Sequence, residues 1–237
     1  LDGDSCFRKE SCPPYMSGLL GQDRRDGGVS RIRGYHAELI VAECQALFDE
    51  KEYSFFDGDH SFNVNIVGIR NPNGRVNKFD DLLVVIYRDS YKRWVADSYQ
   101  ITTDPGLYWL QNPMNVKGTA ILCPGQYAGA YEVGKHAGKY EALCQTGAPI
   151  DVWRDSNRDS HHDMSSASID RGYFGVNIHK AGRKSTRVDK WSAGCQVFKN
   201  DGDYKEFMKT INSAKKKFGN SFTYTLLDGT EVEYDED

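Results

Sequence analysis

Residues 80–101 read DDLLVVIYRDSYKRWVADSYQI, and this stretch decides the fold class. Leu82–Tyr87 is an unbroken apolar run of strand length, far short of the ~20 residues that span a bilayer. Asp89-Ser90 supplies a turn and Trp94–Ile101 a second strand, so the segment predicts a β-hairpin. Downstream, Thr119–Cys123, Tyr127–Val133, Ile150–Trp153, Phe174–His179 and Cys195–Phe198 are further short strand candidates, separated by Gly and Pro. Asp155–Asp170 is polar and reads as a loop, a candidate lid. Tyr204, Phe207, Met208, Ile211 and Phe218 fall on one helical stripe. Asn200 or Asp201 can cap its start, Gly219 can close it, and Lys215, Lys216 and Lys217 oppose the dipole at its end. Phe222, Tyr224 and Leu226 then alternate, and Asp228-Gly229 predicts a hairpin turn into Val232 and Tyr234.

Upstream, Ile40, Cys44, Leu47 and Phe48 give one apolar stripe, predicting a helix from Tyr35 to Lys51. Phe62, Val64, Ile66 and Ile69 suggest a strand, ended by the turn Asn71-Pro72-Asn73-Gly74. Residues 1–34 are broken by Pro and Gly and read as an irregular arm. The expected organisation is therefore an irregular arm (1–34), a helix-strand lead-in module (35–79) and a main domain (80–237), in an α+β, predominantly β class. The chain begins at Leu1, as a processed or trimmed end would.

Composition limits the function classes. The 237 residues are 39% hydrophobic, and 30 basic against 34 acidic residues leave a net charge of −4. No basic face supports nucleic-acid binding, and no apolar run supports a transmembrane segment. Six cysteines form no CxxC pair, so a structural zinc site has no support and no cofactor is implied. Cys6 and Cys12 are placed for a local disulfide, and Cys195 for one with Cys123 or Cys144, so the redox compartment stays undecided.

The chemistry-bearing stretches are GYFGVNIH (172–179) and WSAGCQVF (191–198). A His ends one strand. A Cys, preceded by a Gly that lets backbone N–H groups approach a reacting carbonyl, starts another. An imidazole near a thiol can take its proton and make it a nucleophile. A polar Lys/Arg/Ser/Thr loop, Lys180–Lys190, joins the two.

The pattern Ile178-His179, then Ser192-Ala193-Gly194-Cys195, resembles the signature of the L,D-transpeptidase (YkuD-like) catalytic domain, in a divergent form similar to bacteriophage-encoded members. Thr102-Thr103-Asp104-Pro105-Gly106 resembles an early segment of that family. The resemblance covers about residues 80–198. It implies a β-sandwich with one or two flanking helices and an N-terminal extension. It also implies a peptidoglycan peptidase or transpeptidase acting on stem peptides, extracytoplasmic or virion-associated, with residues 1–79 meeting other virion or tail proteins. In this mapping Cys195 is the nucleophile and His179 its base. The Cys195 and Gly194 N–H groups form the oxyanion hole, Ser192 supports the turn or contacts substrate, and the Lys180 carbonyl or the Asn177 side chain orients the imidazole. Ala193 stands where the family usually has His. That departure motivates the alternative, a structural or wall-binding component of a phage tail or similar assembly.

Other candidates have plainer readings. His161-His162-Asp163 looks like a metal cluster, but adjacent side chains of an extended chain point to opposite faces. Arg154-Asp155 and Arg158-Asp159 read as surface ion pairs, with Arg154 also a candidate for a substrate carboxylate. His136, between glycines, reads as a surface residue. Trp191 and Tyr173 are candidates to line a substrate groove.

Overall fold

The computed structural model describes residues 30–183 and 185–232. Most of the arm, with its proposed Cys6–Cys12 disulfide, and Tyr234 with the acidic tail lie outside the described residues. The hairpin is present: β3 (Asp81–Arg88) pairs antiparallel with β4 (Trp94–Thr102) from Asp81–Ile101 to Arg88–Trp94. Successive residues of β3 face different apolar clusters. Leu82, Val84 and Ile86 pack with Ile40, Cys44 and Phe48 of helix α1 (Tyr35–Glu50), whereas Leu83, Val85 and Tyr87 face the main core. Burial on both faces explains why the run is continuous rather than alternating.

The main sheet closes on itself. β1 (Ser30–Arg33) adds to one edge of β4. β2 (Asn65–Arg70) lies between β3 and β12 (Phe222–Asp228). β12 meets β6 (Gly125–His136), which pairs with β7 (Tyr140–Gln145). β7 meets β10 (Ile178–Lys180), which runs parallel to β11 (Gln196–Phe198), and β11 returns to β4. The ring β3-β4-β11-β10-β7-β6-β12-β2 is an eight-stranded barrel, where the family resemblance implied a sandwich. A separate three-stranded sheet holds β5 (Thr119–Leu122), β8 (Ile150–Asp155) and β9 (Ile169–Gly172). The class is α+β, predominantly β. The segment 35–79 supplies β2 to the ring.

A short helix α2 (Leu107–Gln111) follows β4, and α3 (Asp201–Phe218) follows β11. The Asn200 side chain caps α3 by accepting from Gly202 N and Asp203 N, and Gly219 closes it at φ +93°. Tyr204, Phe207, Met208, Ile211 and Ala214 are its buried stripe; Phe218 is 46% exposed and falls past the core edge. Asp228 caps a 3-10 turn at Gly229–Glu231 in place of the expected hairpin, and Val232 is buried there.

A polar cluster closes the barrel near the ends of β2, β3 and β4. Buried Arg70 donates to Thr103 Oγ1 (3.1 Å), Thr103 O (3.3 Å) and Leu122 O (3.0 Å), and pairs with Asp104 at 2.9 Å. Buried Asp81 accepts from Asn71 N (2.8 Å) and from Thr103 N (2.6 Å) and Oγ1 (2.9 Å). Burial and the charge of Asp104 raise the Asp81 carboxyl above its usual range.

Candidate active site

The parallel pair β10–β11 delivers the two residues the sequence singled out. Ile178 aligns with Gln196 and His179 with Val197, and Gln196 N donates to Asn177 O at 2.9 Å. Asn177 and Cys195 therefore stand side by side, and by alternation share one sheet face with His179 and Val197. Ile178 and Phe198 point the other way, into the core. His179 sits one step along the same face, diagonal to Cys195.

The local turn is built to hold the cysteine. Gly194 has φ +117°, and a Cβ there would lie 2.4 Å from Ala120 O, so only glycine fits. Buried Ser192 donates to Cys195 O at 2.7 Å and accepts from Gly194 N at 3.2 Å. Its own carbonyl accepts from Gly106 N at 2.9 Å. Ser192 thus supports the turn and is closed to substrate. The Gly194 N–H is engaged with Ser192; that of Cys195 has no partner among the described residues and is the donor left for an oxyanion. Buried Gln196 anchors the turn from inside, accepting from Tyr224 Oη at 2.9 Å and donating to Thr103 O at 3.4 Å.

Hydrogen bonds assign the imidazole. His179 Nδ1 lies 3.0 Å from Lys180 O, which only accepts, so Nδ1 carries the proton and Nε2 keeps its lone pair. Of the two expected orienting groups, the Lys180 carbonyl is the one used. The Lys180 ammonium pairs with Asp201. Asn177 orients a different ring. Its Oδ1 accepts from Gln145 N (2.9 Å), which leaves Nδ2 to donate to His136 Nδ1 at 3.1 Å.

His136 is the residue that the sequence reading misplaced. It ends β6 and stacks on His179 with ring centroids 3.9 Å apart and planes 18° apart. It is half-buried beside the site, not a free surface histidine. The signal lay in the turn that follows, where Ala137 and Gly138 both have positive φ and return the chain into β7, pairing His136 with Tyr140.

The titration of the pair follows from this packing. Burial, and then the neighbouring His136, push the His179 imidazole down to about 3. Burial pushes the partly exposed Cys195 thiol up to about 11, against a lowering contact from the Asn177 backbone N–H. At neutral pH both groups are uncharged. The Cys195 thiol donates to Gly175 O at 3.5 Å, and no hydrogen bond joins it to His179 among the described residues.

The remaining candidates separate. Trp191 is 44% exposed with its ring against Gly182, and Tyr173 is 61% exposed, two residues before the Gly175 carbonyl that meets the thiol. Arg154 is not available to a substrate carboxylate: its side chain is 9% exposed, bound to Asp170 and Gly118 O, and stacked on Phe174. Asp155 is buried rather than paired at the surface. His161 Nδ1 lies 3.6 Å from Asp159, whereas His162 Nε2 contacts Pro105 O at 3.2 Å, so the two rings share no ligand position. Cys44, Cys123, Cys144 and Cys195 are free thiols, which excludes the suggested disulfides of Cys195. Comparison with family models, with curated proteins and with solved structures gave no match.

Proposed function

We propose that the protein is a cysteine-dependent peptidase or transpeptidase acting on peptidoglycan stem peptides, with an L,D-transpeptidase-like fold of which the closed ring is a variant. The supporting observation is the shared face of β10 and β11. It carries a partly exposed thiol and a histidine whose Nδ1 is tied to Lys180 O, leaving Nε2 as a base.

In this reading the resting pair is neutral, and proton transfer accompanies attack. The Cys195 sulfur bonds to the substrate carbonyl carbon as its proton passes to His179 Nε2. The Cys195 N–H faces the oxyanion. The imidazolium then gives its proton to the leaving amine as the C–N bond breaks, leaving a thioester. Water or an acceptor amine attacks that thioester, returning a proton through His179 to the sulfur. Water gives hydrolysis and an amine gives a cross-link.

An extracytoplasmic or virion-associated location, with residues 1–79 meeting other virion or tail proteins, belongs to the same proposal. Among the described residues no helix is long and apolar enough to cross a membrane.

The second reading, a structural or wall-binding component, is favoured by the absence of a Cys195–His179 hydrogen bond and by Ala193. Incubation with purified muropeptides decides between them. The enzymatic reading expects turnover by the wild type and none by Cys195→Ala, with a mass adduct on Cys195 from a carbapenem-type acylating probe. Equal turnover, or no adduct, favours the structural reading.

A further inference from the structure

The loop leaving β8 carries oxygen donors at alternate positions: Asp155, Asn157, Asp159, the His161 carbonyl, and Asp163. Donors at positions one, three, five and seven, with another at nine, allow one tight loop to wrap a hard divalent cation. Spacing alone does not make a site. An independent observation comes from Asp155, which is fully buried and has Oδ1 without a hydrogen-bond partner. Its other oxygen accepts from Asp163 N at 3.1 Å, so the carboxylate faces into the loop. A buried carboxylate oxygen with no donor is costly unless something positive meets it.

The neighbouring charges make this worse. Arg154, next in the chain, is committed to Asp170. Further out in the loop, a single amide holds two like charges together: Asn157 Nδ2 donates to Asp159 Oδ2 at 3.0 Å and to Asp163 Oδ2 at 2.5 Å. Among the described residues no three acidic, His or Cys side chains already converge on a metal position. Occupancy therefore requires the Asn157 amide to turn and present oxygen while the carboxylates close in.

We propose that residues 155–163 are a calcium-binding loop, with the side chains of Asp155, Asn157, Asp159 and Asp163 and the carbonyl of His161 as ligands. All of these donors are oxygens on one adaptable loop, which suits calcium better than the smaller, strictly octahedral magnesium. Open access fits reversible binding, since Asp159 is 46% exposed. The loop also meets the site's scaffold. His162 contacts Pro105 O at 3.2 Å, next to Gly106, which donates to Ser192 O. The proposal does not depend on the catalytic reading.

The test is calorimetric titration of the chelator-treated full chain with CaCl2 and, separately, MgCl2, alongside thermal unfolding in each salt. The expected result is saturable calcium binding, a melting temperature raised by several degrees, and magnesium at least about tenfold weaker. Asp159→Asn, at an exposed position that leaves the fold unburdened, should weaken calcium at least about tenfold, and Asp163→Asn likewise. No heat and no shift in melting temperature up to about 10 mM CaCl2 would overturn the proposal. So would Asp159→Asn titrating like the wild type, or magnesium binding as tightly as calcium.

Discussion

The barrel buries polar groups in two regions that solve the same problem differently. Around Arg70, Asp81 and Asp104 it gathers polar groups onto one another: the guanidinium spans Thr103, Leu122 and Asp104, and Asp81 takes three donors. Around His179 and Cys195 it removes charge, holding the imidazole low and the thiol high. In the first region the polar atoms work on one another and fix three strand ends. In the second, among the described residues, His179 Nε2 has no hydrogen-bond partner and the sulfur has only a long contact to Gly175 O.

Removing one member from each region should give opposite signatures. His179→Ala should cost about 10²–10⁴-fold in muropeptide turnover, the range for loss of a general base, with little loss of stability. Urea unfolding and turnover measured on the same preparation check both halves; a variant that unfolds before it loses activity breaks the comparison. Arg70→Met leaves Asp104 and Asp81 without their cation and should lower stability by about 3–5 kcal/mol, while folded protein retains Cys195 acylation.

A pH series sharpens the contrast. The folded pKa of His179 lies below its unfolded value, so between pH 6.5 and about 3 the unfolded chain binds the extra proton, and stability from this group is lost as pH falls. Asp81 is raised, so it acts in the opposite direction above the ordinary carboxylate range, the folded state holding the proton longer. The stability of wild type relative to His179→Gln should therefore shrink by roughly 2 kcal/mol from pH 6.5 to pH 5, read from urea midpoints. An unchanged difference would mean that the imidazole is not held neutral by burial. The smallest expected effect is at His136. His136→Ala removes the stacked ring but neither reacting group, and should cost about tenfold in turnover at neutral pH. It should also move the acid limb of the pH–rate profile upward, as His179 becomes easier to protonate.

Much of this was legible where the signal is local. Leu82–Tyr87 with its turn, and the stripe Tyr204–Ile211 with Asn200 and Gly219 at its ends, carry their structure in neighbouring residues. His179, Lys180 and Cys195 were readable for the same reason, since the orienting carbonyl belongs to the next residue in the chain. Sites that depend on distant strands were not. β7 contains Glu141, Ala142 and Cys144 and lacks marked alternation, so its pairing with β6 was hidden, and His136 looked exposed between glycines. Arg154 read as a surface partner of Asp155 or of a substrate carboxylate because its actual partner, Asp170, arrives on β9, itself made visible only by pairing with β8. Phe218 matched the helical stripe, but the core ends before it, beside Ala214.

The proposed chemistry requires the His179 imidazole to act on the Cys195 sulfur. The most direct measurement is the rate of Cys195 alkylation by iodoacetamide against pH, in wild type and His179→Ala, with modification at Cys195 confirmed by peptide mass. Wild type should react at least about tenfold faster near pH 7, and the two rates should converge as pH approaches the thiol's own raised pKa. Superimposable profiles in the folded proteins would contradict it.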